Sequence, residues 1–432
     1  MEILALGEKI KRRRKELNMT LKDLAGDRIT PGQISLVESG RSNPSMDLLE
    51  YLAVTLQTTA EYLMESEDSQ AEKISQYYEQ VAESYILGGD YTTGEKYIEN
   101  ALYYAEKYDL EYRKAKNLYL RAKIHMFKDE LVLAQQFFLS SNVIFIKNNN
   151  FEEIVNTFVN LGKITMKLRA YHSATSYLRQ AEKAYLENNI GNDFLLGEIY
   201  YFMAEGYFKT ENIDKAIDYS FLAKMKFEKV HNKDEYAKTL LLLSEEYNKK
   251  GDLTNAIKYS KKTLEVYKEL EYNVEIAAIE NNLGKLFYEY ENVEESFVHY
   301  ELARKIRNNN NDDKLIETLF NICENYLKLK DITSCEKVLN EIEALIGDKI
   351  EYRIQYNLIW YRIHIIKEEV KEAEEMLLDT HFIAKEEGKL KEAGQISIMI
   401  GKFYIDNKKD YEAAKFLDEG VNIFRNLGIL KN

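Results

Sequence analysis

The chain has 432 residues, a formal net charge of −14 and two prolines, Pro31 and Pro44. Proline breaks helix interiors, so its absence after residue 44 permits an almost wholly helical chain. Two cysteines exclude a disulfide framework, no apolar run reaches the roughly 18 residues of a membrane span, and no apolar secretion signal opens the chain, which together describe a cytoplasmic protein that stays off membranes.

The first predicted helix runs from Leu6 to Leu17. Its apolar residues fall at 6, 10 and 17, with Lys11, Arg12, Arg13, Arg14 and Lys15 between them, which gives one buried stripe and a basic outer side. Thr20 predicts the cap of a second short helix reaching Ala25, with Asp23 completing the capping box. Thr30 and Pro31 predict another cap with proline at the first helical position. The third helix that follows, residues 32–38, is buried through Ile34 and Val37 and stops at Gly40. Arg41 to Pro44 forms a turn. Ser45 caps a fourth helix with Leu48, Leu49, Leu52 and Ala53 inward, and Thr59 to Leu63 supplies a short fifth.

The third helix presents a small polar outer side at Thr30, Gly32, Gln33 and Ser35. Small residues at the start of a helix let its backbone approach a DNA groove closely. A glutamine at Gln33 can bond adenine through two atoms, and Ser35 can reach a base or a phosphate. Arg12, Arg13, Lys22, Arg28 and Arg41 are candidate phosphate contacts, which position a protein on DNA without reading sequence. Residues 6 to 63 resemble the lambda-repressor-like (Cro/C1, or XRE) helix-turn-helix family. The resemblance rests on Leu6-Gly7, Ile10 with the arginine run, Met19-Thr20-Leu21, Asp23-Leu24-Ala25, Ile34-Ser35, Val37-Glu38 and Gly40-Arg41-Ser42-Asn43-Pro44-Ser45. Gly32 stands where that family more often has serine or threonine, and Gly26 ends the second helix.

Charge is unevenly spread. Residues 1–46 hold nine basic and six acidic side chains, whereas residues 65–432 hold 50 basic and 64 acidic. Affinity for a nucleic-acid backbone needs cations, so contact with DNA is confined to the N-terminal tip.

Beyond residue 70 a pattern recurs. A small residue is followed twelve places on by another, then by an apolar residue four further on and a small one seven further on. Gly162, Ala174, Leu178 and Ala181 form one instance, and Gly284, Ser296, Tyr300 and Ala303 another. The second small position recurs at Gly94, Ala134, Ala174, Ala216, Ala256, Ser296, Cys335, Ala373 and Ala413, at spacings of 38 to 42. Nine units at one period predict a solenoid of helical pairs, with small residues where the two helices of a unit cross. The pattern resembles the tetratricopeptide repeat, with linkers lengthened beyond that family's minimal period of about 34. The expectation is an all-α chain: a five-helix Cro/C1-type helix-turn-helix domain at residues 1–66, then a right-handed superhelix of about nine helical pairs at residues 67–432. The runs 147–150 and 307–313 read as loops between units.

No catalytic, metal or cofactor constellation is present in the sequence. The six histidines include no His-Glu-x-x-His pair, Gly88-Gly89 is a repeat turn, and Cys323 and Cys335 fall at the two crossing positions of the seventh unit as core residues. The chain therefore reads as a binding protein and not as an enzyme.

The inner wall of such an array is built by the first helix of each unit. Asn160, Asn282 and Asn321 each lie two places before the first small residue, and an amide there can pair with the backbone of an extended ligand. Lys163, Lys285 and Arg362 can hold acidic groups, and Tyr201 faces the same wall.

A Cro-like head followed by long-period repeats resembles, by architecture over essentially the whole chain, the peptide-pheromone-responsive regulators of Gram-positive bacteria (the PlcR, NprR and PrgX, or RNPP, group). The resemblance implies a quorum-sensing transcriptional regulator. In that group the repeats take a short signalling peptide, asparagines hold its backbone, and homodimers place two heads on a palindromic double-stranded operator. Peptide would shift a population of array states, with full switching requiring a preference of roughly 5.5 kcal/mol. Two alternatives are an array that binds a protein partner such as a phosphorelay component, and a scaffold whose head no longer binds DNA.

Overall fold

The computed structural model describes residues 2–430, and every regular element among them is a helix. Contacts divide the chain into two compact units, residues 1–226 and 227–432.

Five short helices open the first unit: α1 (Leu6–Glu16), α2 (Leu21–Ala25), α3 (Pro31–Glu38), α4 (Met46–Thr55) and α5 (Ala60–Met64). Their ends are set by side chains. Thr20, Thr30, Ser45 and Thr59 each accept a hydrogen bond from the backbone N–H three residues on, which satisfies one of the orphan donors of a helix start. Ile10, Leu24, Ile34, Leu52, Leu56 and Leu63 meet in one buried core. Gly7 is required there. A Cβ at this position would lie 2.4 Å from the carbonyl oxygen of Val37 and 2.6 Å from that of Glu38, so α1 reaches the end of α3 only without one.

The first unit continues with α6 (Glu67–Leu87), α7 (Tyr91–Lys107), α8 (Glu111–Phe127), α9 (Leu131–Lys147), α10 (Phe151–Lys167), α11 (Tyr171–Glu187), α12 (Asp193–Lys209) and the start of α13 (Ile213–Lys229). The second unit holds α14 (Lys233–Lys250), α15 (Leu253–Leu270), α16 (Asn273–Glu289), α17 (Val293–Asn309), α18 (Leu315–Leu329), α19 (Ile332–Ile346), α20 (Ile350–Ile366), α21 (Val370–Glu386), α22 (Leu390–Asp406) and α23 (Asp410–Asn426). Successive helices pack as hairpins, for example α6 on α7, α10 on α11, α16 on α17 and α22 on α23.

The hairpins explain the small residues. Leu178 lies over Gly162, Tyr300 over Gly284 and Leu417 over Gly401, each sixteen residues on, where a Cβ would come within 2.8 Å or less of the partner side chain. Twelve residues on, the second helix touches the first again. Ser296 Oγ donates to the Gly284 carbonyl at 2.7 Å, and Cys335 Sγ lies 3.8 Å from the Cys323 carbonyl. Both cysteines are free and buried. The neighbouring Cys335 thiol and burial push the Cys323 thiol up, so it stays protonated.

The forty-residue period does not come from longer linkers. Most array helices have 17 residues and are joined by three, as at 108–110, 128–130 and 148–150. The length beyond a minimal repeat lies in the helices. The first six junctions of the array each hold a positive-φ residue at the same place: Gly89, Asp109, Asp129, Asn149, Arg169 and Asn189 recur at intervals of twenty, with φ between 49° and 80°. The next N–H then closes back on the helix, as Leu110 to Ala105 (2.8 Å) and Ala170 to Thr165 (2.9 Å), the six-residue closure of a Schellman turn. Departures from forty are local. The link at 188–192 has five residues, which gives the one spacing of 42; the short α18 is offset by a five-residue link at 310–314, so the two-residue link at 330–331 gives the spacing of 39 and the 15-residue α19 that of 38. The polar run 307–313 is helical through Asn309, so the loop there starts later than its composition indicates.

Candidate nucleic-acid interface and array binding face

In the head, Gly32, Gln33 and Ser35 of α3 are exposed, as are Lys22 of α2, Arg28 in the turn before α3 and Arg41 beyond its end. Arg28 lies over the ring of Tyr51, in α4, at 5.6 Å. Thr30 is the N-cap of α3. Its N–H donates to Gln33 Oε1 at 3.0 Å, and its Oγ1 accepts from Gln33 N at 3.2 Å. The Gln33 oxygen is thus engaged in the capping box, and reading both faces of adenine requires it to leave the cap. Gly32 has room for a side chain, since a Cβ would meet only Thr30 Oγ1 at 3.9 Å.

The arginine run divides by role. Arg12 pairs with Glu2 (3.0 Å) and Glu16 (3.3 Å) on the surface. Arg13 Nε donates to the Leu56 carbonyl at 3.0 Å, and its Nη1 pairs with Glu16 at 3.0 Å. It therefore ties α1 to the end of α4, a geometry that leaves it little reach toward a phosphate. Arg14 turns inward. Its Nε and Nη2 donate to the two oxygens of Glu38 (2.5 and 2.9 Å), and its Nη1 donates to the Met19 carbonyl at 2.9 Å. The bond to Glu38 holds its pKa above the ordinary value.

The array face falls in two sets, one in each unit. In the first, Asn160 Nδ2 donates to Tyr119 Oη and to the Asn156 carbonyl, both at 2.9 Å. Burial pushes the Tyr119 phenol up to about 12, so it remains a neutral acceptor. Lys163 pairs with Glu198 at 2.7 Å and lies over the Phe202 ring at 5.0 Å, with Tyr201 packed edge-on to Phe202. Lys163 and Phe202 also line a cavity of about 330 Å³, with Met126, Met166, Tyr171 and Glu205. Burial raises the Glu205 carboxyl.

In the second unit, Asn321 Nδ2 donates to Asn281 Oδ1 at 3.1 Å, forty residues away on the neighbouring first helix. Asn282 Nδ2 donates to Ser260 Oγ at 3.1 Å, which turns it toward α15. Lys285 is exposed. Arg362 pairs with both oxygens of Glu324 at 2.7 Å. A second cavity of about 440 Å³ lies between α20 and α22, with Ile354, Leu358, Ile396 and Met399 on its walls. No group of histidine, cysteine or carboxylate residues among the described residues could hold a metal ion. No helix among them is long and apolar enough to cross a membrane.

A sequence family described as Helix-turn-helix matches residues 10–63, the span of α1 to α5. The head is a helix-turn-helix domain. No curated protein matches the sequence. Among solved structures, the apo form of the quorum sensor NprR from B. thuringiensis superimposes with a TM-score of 0.56 at 13% identity, over 82% of this chain and 99% of that one. A signal-transduction ATPase of the STAND type with a tetratricopeptide repeat sensor, from Pyrococcus horikoshii, gives 0.55 at 16% identity, over 99% and 67%. Aspartyl phosphate phosphatase F from Bacillus subtilis gives 0.50 at 15%, over 83% and 94%. At these identities the likeness is one of fold. The chain is a helix-turn-helix head fused to a tetratricopeptide-like array.

Three residues of the helix-turn-helix head and its junction escaped the sequence reading. Lys9 is 1% exposed, and its Nζ donates to the carbonyls of Tyr62 (2.8 Å) and Glu65 (2.7 Å), at the end of α5. Burial lowers its pKa. Gln70 of α6 brackets Leu4, accepting from its N–H at 3.1 Å and donating to its carbonyl at 3.0 Å. Glu38 was legible only as part of a turn signature, although it anchors Arg14. The signal in each case is a polar residue at a core-facing helical position, whose partner lies 24 to 66 residues away.

Proposed function

We propose that the chain is a non-catalytic transcriptional regulator of the peptide-pheromone-responsive kind. Its helix-turn-helix head binds a two-fold double-stranded DNA operator as a homodimer. Its array binds a short signalling peptide, and that binding governs the head. The observation that carries this reading is the exposed start of α3. Gln33, Ser35 and Gly32 stand clear there, with the exposed cations Lys22 and Arg28 before α3 in the chain and Arg41 after it, on a chain whose remaining 368 residues are acidic in balance. This is the arrangement of a recognition helix flanked by phosphate contacts. The fold likeness to a quorum sensor supports a ligand-responsive array. The asparagine and lysine side chains on its first helices have the donors and acceptors an extended peptide needs.

The test has two arms. Purified full-length protein is used to select sequences from random duplex DNA, and anisotropy then measures affinity for the selected duplex. The same protein is incubated with spent culture medium, and small molecules that co-elute are identified by mass spectrometry. A symmetric operator whose affinity changes when an eluted peptide is added is the expected result. A protein recovered in place of a peptide would favour the other reading.

One feature supports that second reading, a protein partner such as a phosphorelay component. Helix α9 exposes Val132, Leu133, Leu139, Val143 and Ile146, with no charge before Lys147. At the positions of α7 and α11 that match Leu139, Val143 and Ile146, the exposed charges Glu99, Glu106, Arg179 and Lys183 stand beside Tyr103 and Leu186. An uncharged helical face between charged ones fits the apolar helix of a partner protein. A leucine-to-lysine change at Leu139 that abolished recovery of such a protein would support it.

A further inference from the structure

Stacked repeats of the first unit pack on one another through fixed positions. Ala82 in α6, Ala122 in α8 and Gly162 in α10 are equivalent small residues, forty apart. Around them, Tyr77, Val81, Ser84 and Tyr85 of α6 match Asn117, Arg121, Ile124 and His125 of α8. In α8 all four reach back to the preceding hairpin. Asn117 donates to Glu79 at 3.1 Å, Arg121 and His125 lie 3.5 and 3.8 Å from Glu95, and Ile124 shares a core with Ile86 and Ile98. The α10 equivalents Thr157, Leu161, Ile164 and Thr165 are buried too. Before α6 comes the head and not a repeat. There Tyr77 and Tyr85 are 47% and 38% exposed, and Ser84 is exposed beside them.

This open face is aromatic and uncharged. Tyr104, Tyr78, Tyr97 and Tyr85 form a ladder with ring centroids 5.5 to 6.1 Å apart, and Tyr77 packs edge-on against Tyr78 at 5.6 Å. Glu95 and Glu99 of α7 reach the other way, to Arg121 of α8. The neighbouring cations are engaged within the copy: Lys73 pairs with Glu65 at 2.6 Å, and Lys107 lies over the Tyr103 and Tyr108 rings. A terminal repeat needs a polar outer face to stay dispersed in water. The last hairpin has one. Glu72 and Glu79 meet α8, and the α22 positions in register with them are Lys391 and Ile398, with Lys402 one turn on, both lysines exposed.

The composition and place of the α6–α7 face select its occupant. In an isologous contact a face meets itself, so a charged surface opposes like charges. This one opposes none, although each copy carries −14 overall. Tyrosines are favoured anchors of protein contacts. Helices of 21 and 17 residues side by side cover about 25–30 Å by about 20 Å, roughly 500–600 Å² a copy. Two copies then bury about 1,000 Å² or more, which a specific interface needs. The face also adjoins the head: α5 ends at Met64, α6 begins at Glu67, and Gln70 brackets Leu4. A contact along α6 sets two heads beside each other, as a two-fold operator requires.

We propose that the α6–α7 hairpins of two copies pack face to face through the tyrosine ladder, and that this is the dimer contact. This rests on the reading of the chain as a homodimer on a two-fold operator, and assigns that homodimer its surface.

The test uses the full-length protein and two variants at exposed positions, Tyr77→Lys and Ser84→Lys. Sedimentation equilibrium from nanomolar to high micromolar concentration measures self-association, and anisotropy measures binding to the selected duplex and to its half-site. The expected result is a dimeric parent and, in each variant, a dimer dissociation constant raised about tenfold or more, with the circular dichroism spectrum of the parent. Half-site affinity should be unchanged, while affinity for the two-fold duplex falls about tenfold. Dimers as tight in both variants as in the parent would overturn this contact and leave the homodimer to another surface. A parent that is monomeric throughout overturns the contact and the homodimer together. Recovery of a foreign protein that Tyr77→Lys loses would then assign the face to that partner.

Discussion

The guanidinium of Arg14 in α1 holds the carboxylate of Glu38 in α3 through two parallel hydrogen bonds, with side chains 13% and 7% exposed. The same guanidinium reaches the Met19 carbonyl, so one side chain fixes α1, the turn before α2, and the end of α3. The position of α3 therefore depends on a largely buried side chain of another helix.

Removing one partner should be severe. A buried pair that loses one member leaves an uncompensated charge, which costs about 3–5 kcal/mol. Arg14→Met and Glu38→Gln should each lower the melting transition of the head, seen by circular dichroism, and abolish operator binding in anisotropy. A head that melts unchanged with either variant contradicts this account.

Two glycines of the head should behave oppositely. Gly7→Ala places a Cβ against two backbone carbonyls that cannot move aside cheaply, and should destabilise the head by about 1–3 kcal/mol or more. Gly32→Ser meets open space and should leave the melting temperature unchanged, while altering the affinity or preference for the selected operator. Thermal melts paired with anisotropy separate the two.

Gln33 should show both effects at once. Its side chain completes the cap of α3 and stands at the recognition surface. Gln33→Ala should cost roughly 0.5–2 kcal/mol of stability through the cap. Loss of an adenine contact should cost a further 1–3 kcal/mol of discrimination at one base pair. Selection of operator variants by the mutant protein would reveal relaxed specificity at a single position.

Acid should weaken the C-terminal hairpins through His381. Burial lowers its pKa below the ordinary 6.5, with Glu419 opposing and Lys385 reinforcing the shift. Ser397 Oγ lies 2.7 Å from its Nε2. Because the folded value is below the unfolded one, the unfolded chain takes the proton first. Stability is fully present above about 6.5 and is lost as pH falls through the folded value. Urea melts at pH 7 and pH 5 should show a smaller acid loss for His381→Gln than for the parent protein.

Arg362 offers a separation of stability from binding. Its pair with Glu324 is 43% and 32% exposed, and exposed pairs contribute about 0–1 kcal/mol. Arg362→Ala should barely move the melting temperature. Calorimetry with a peptide recovered from culture medium should nevertheless show weakened binding if this face holds the ligand.

Local features were legible in the sequence because their causes are local. The caps Thr20, Thr30 and Ser45 act on N–H groups three residues away, and the crossing positions Gly162 and Gly284 announce themselves by size and spacing. Long-range partners were not. Arg14 and Arg13 are indistinguishable as letters, yet one enters the core and the other laces α1 to the end of α4. The third asparagine of the inner register, Asn282, turns to Ser260 instead of joining the Asn281–Asn321 ladder. The period itself was read correctly and its origin was not, since composition cannot tell a long helix from a long link.

Almost every turn of the array is closed within six residues by its own left-handed residue and its own back-bond, as at Asp109, Asp129 and Asn149, the turn after Ile346 being an exception. Such a chain can be lengthened in evolution by copying forty codons anywhere, since no turn depends on a distant one. The head has no such freedom. Gly7 answers to Val37 and Lys9 to Tyr62, so an insertion between them breaks a joint. Descendants of this gene should therefore differ in the number of their repeats far more readily than in the length of their heads.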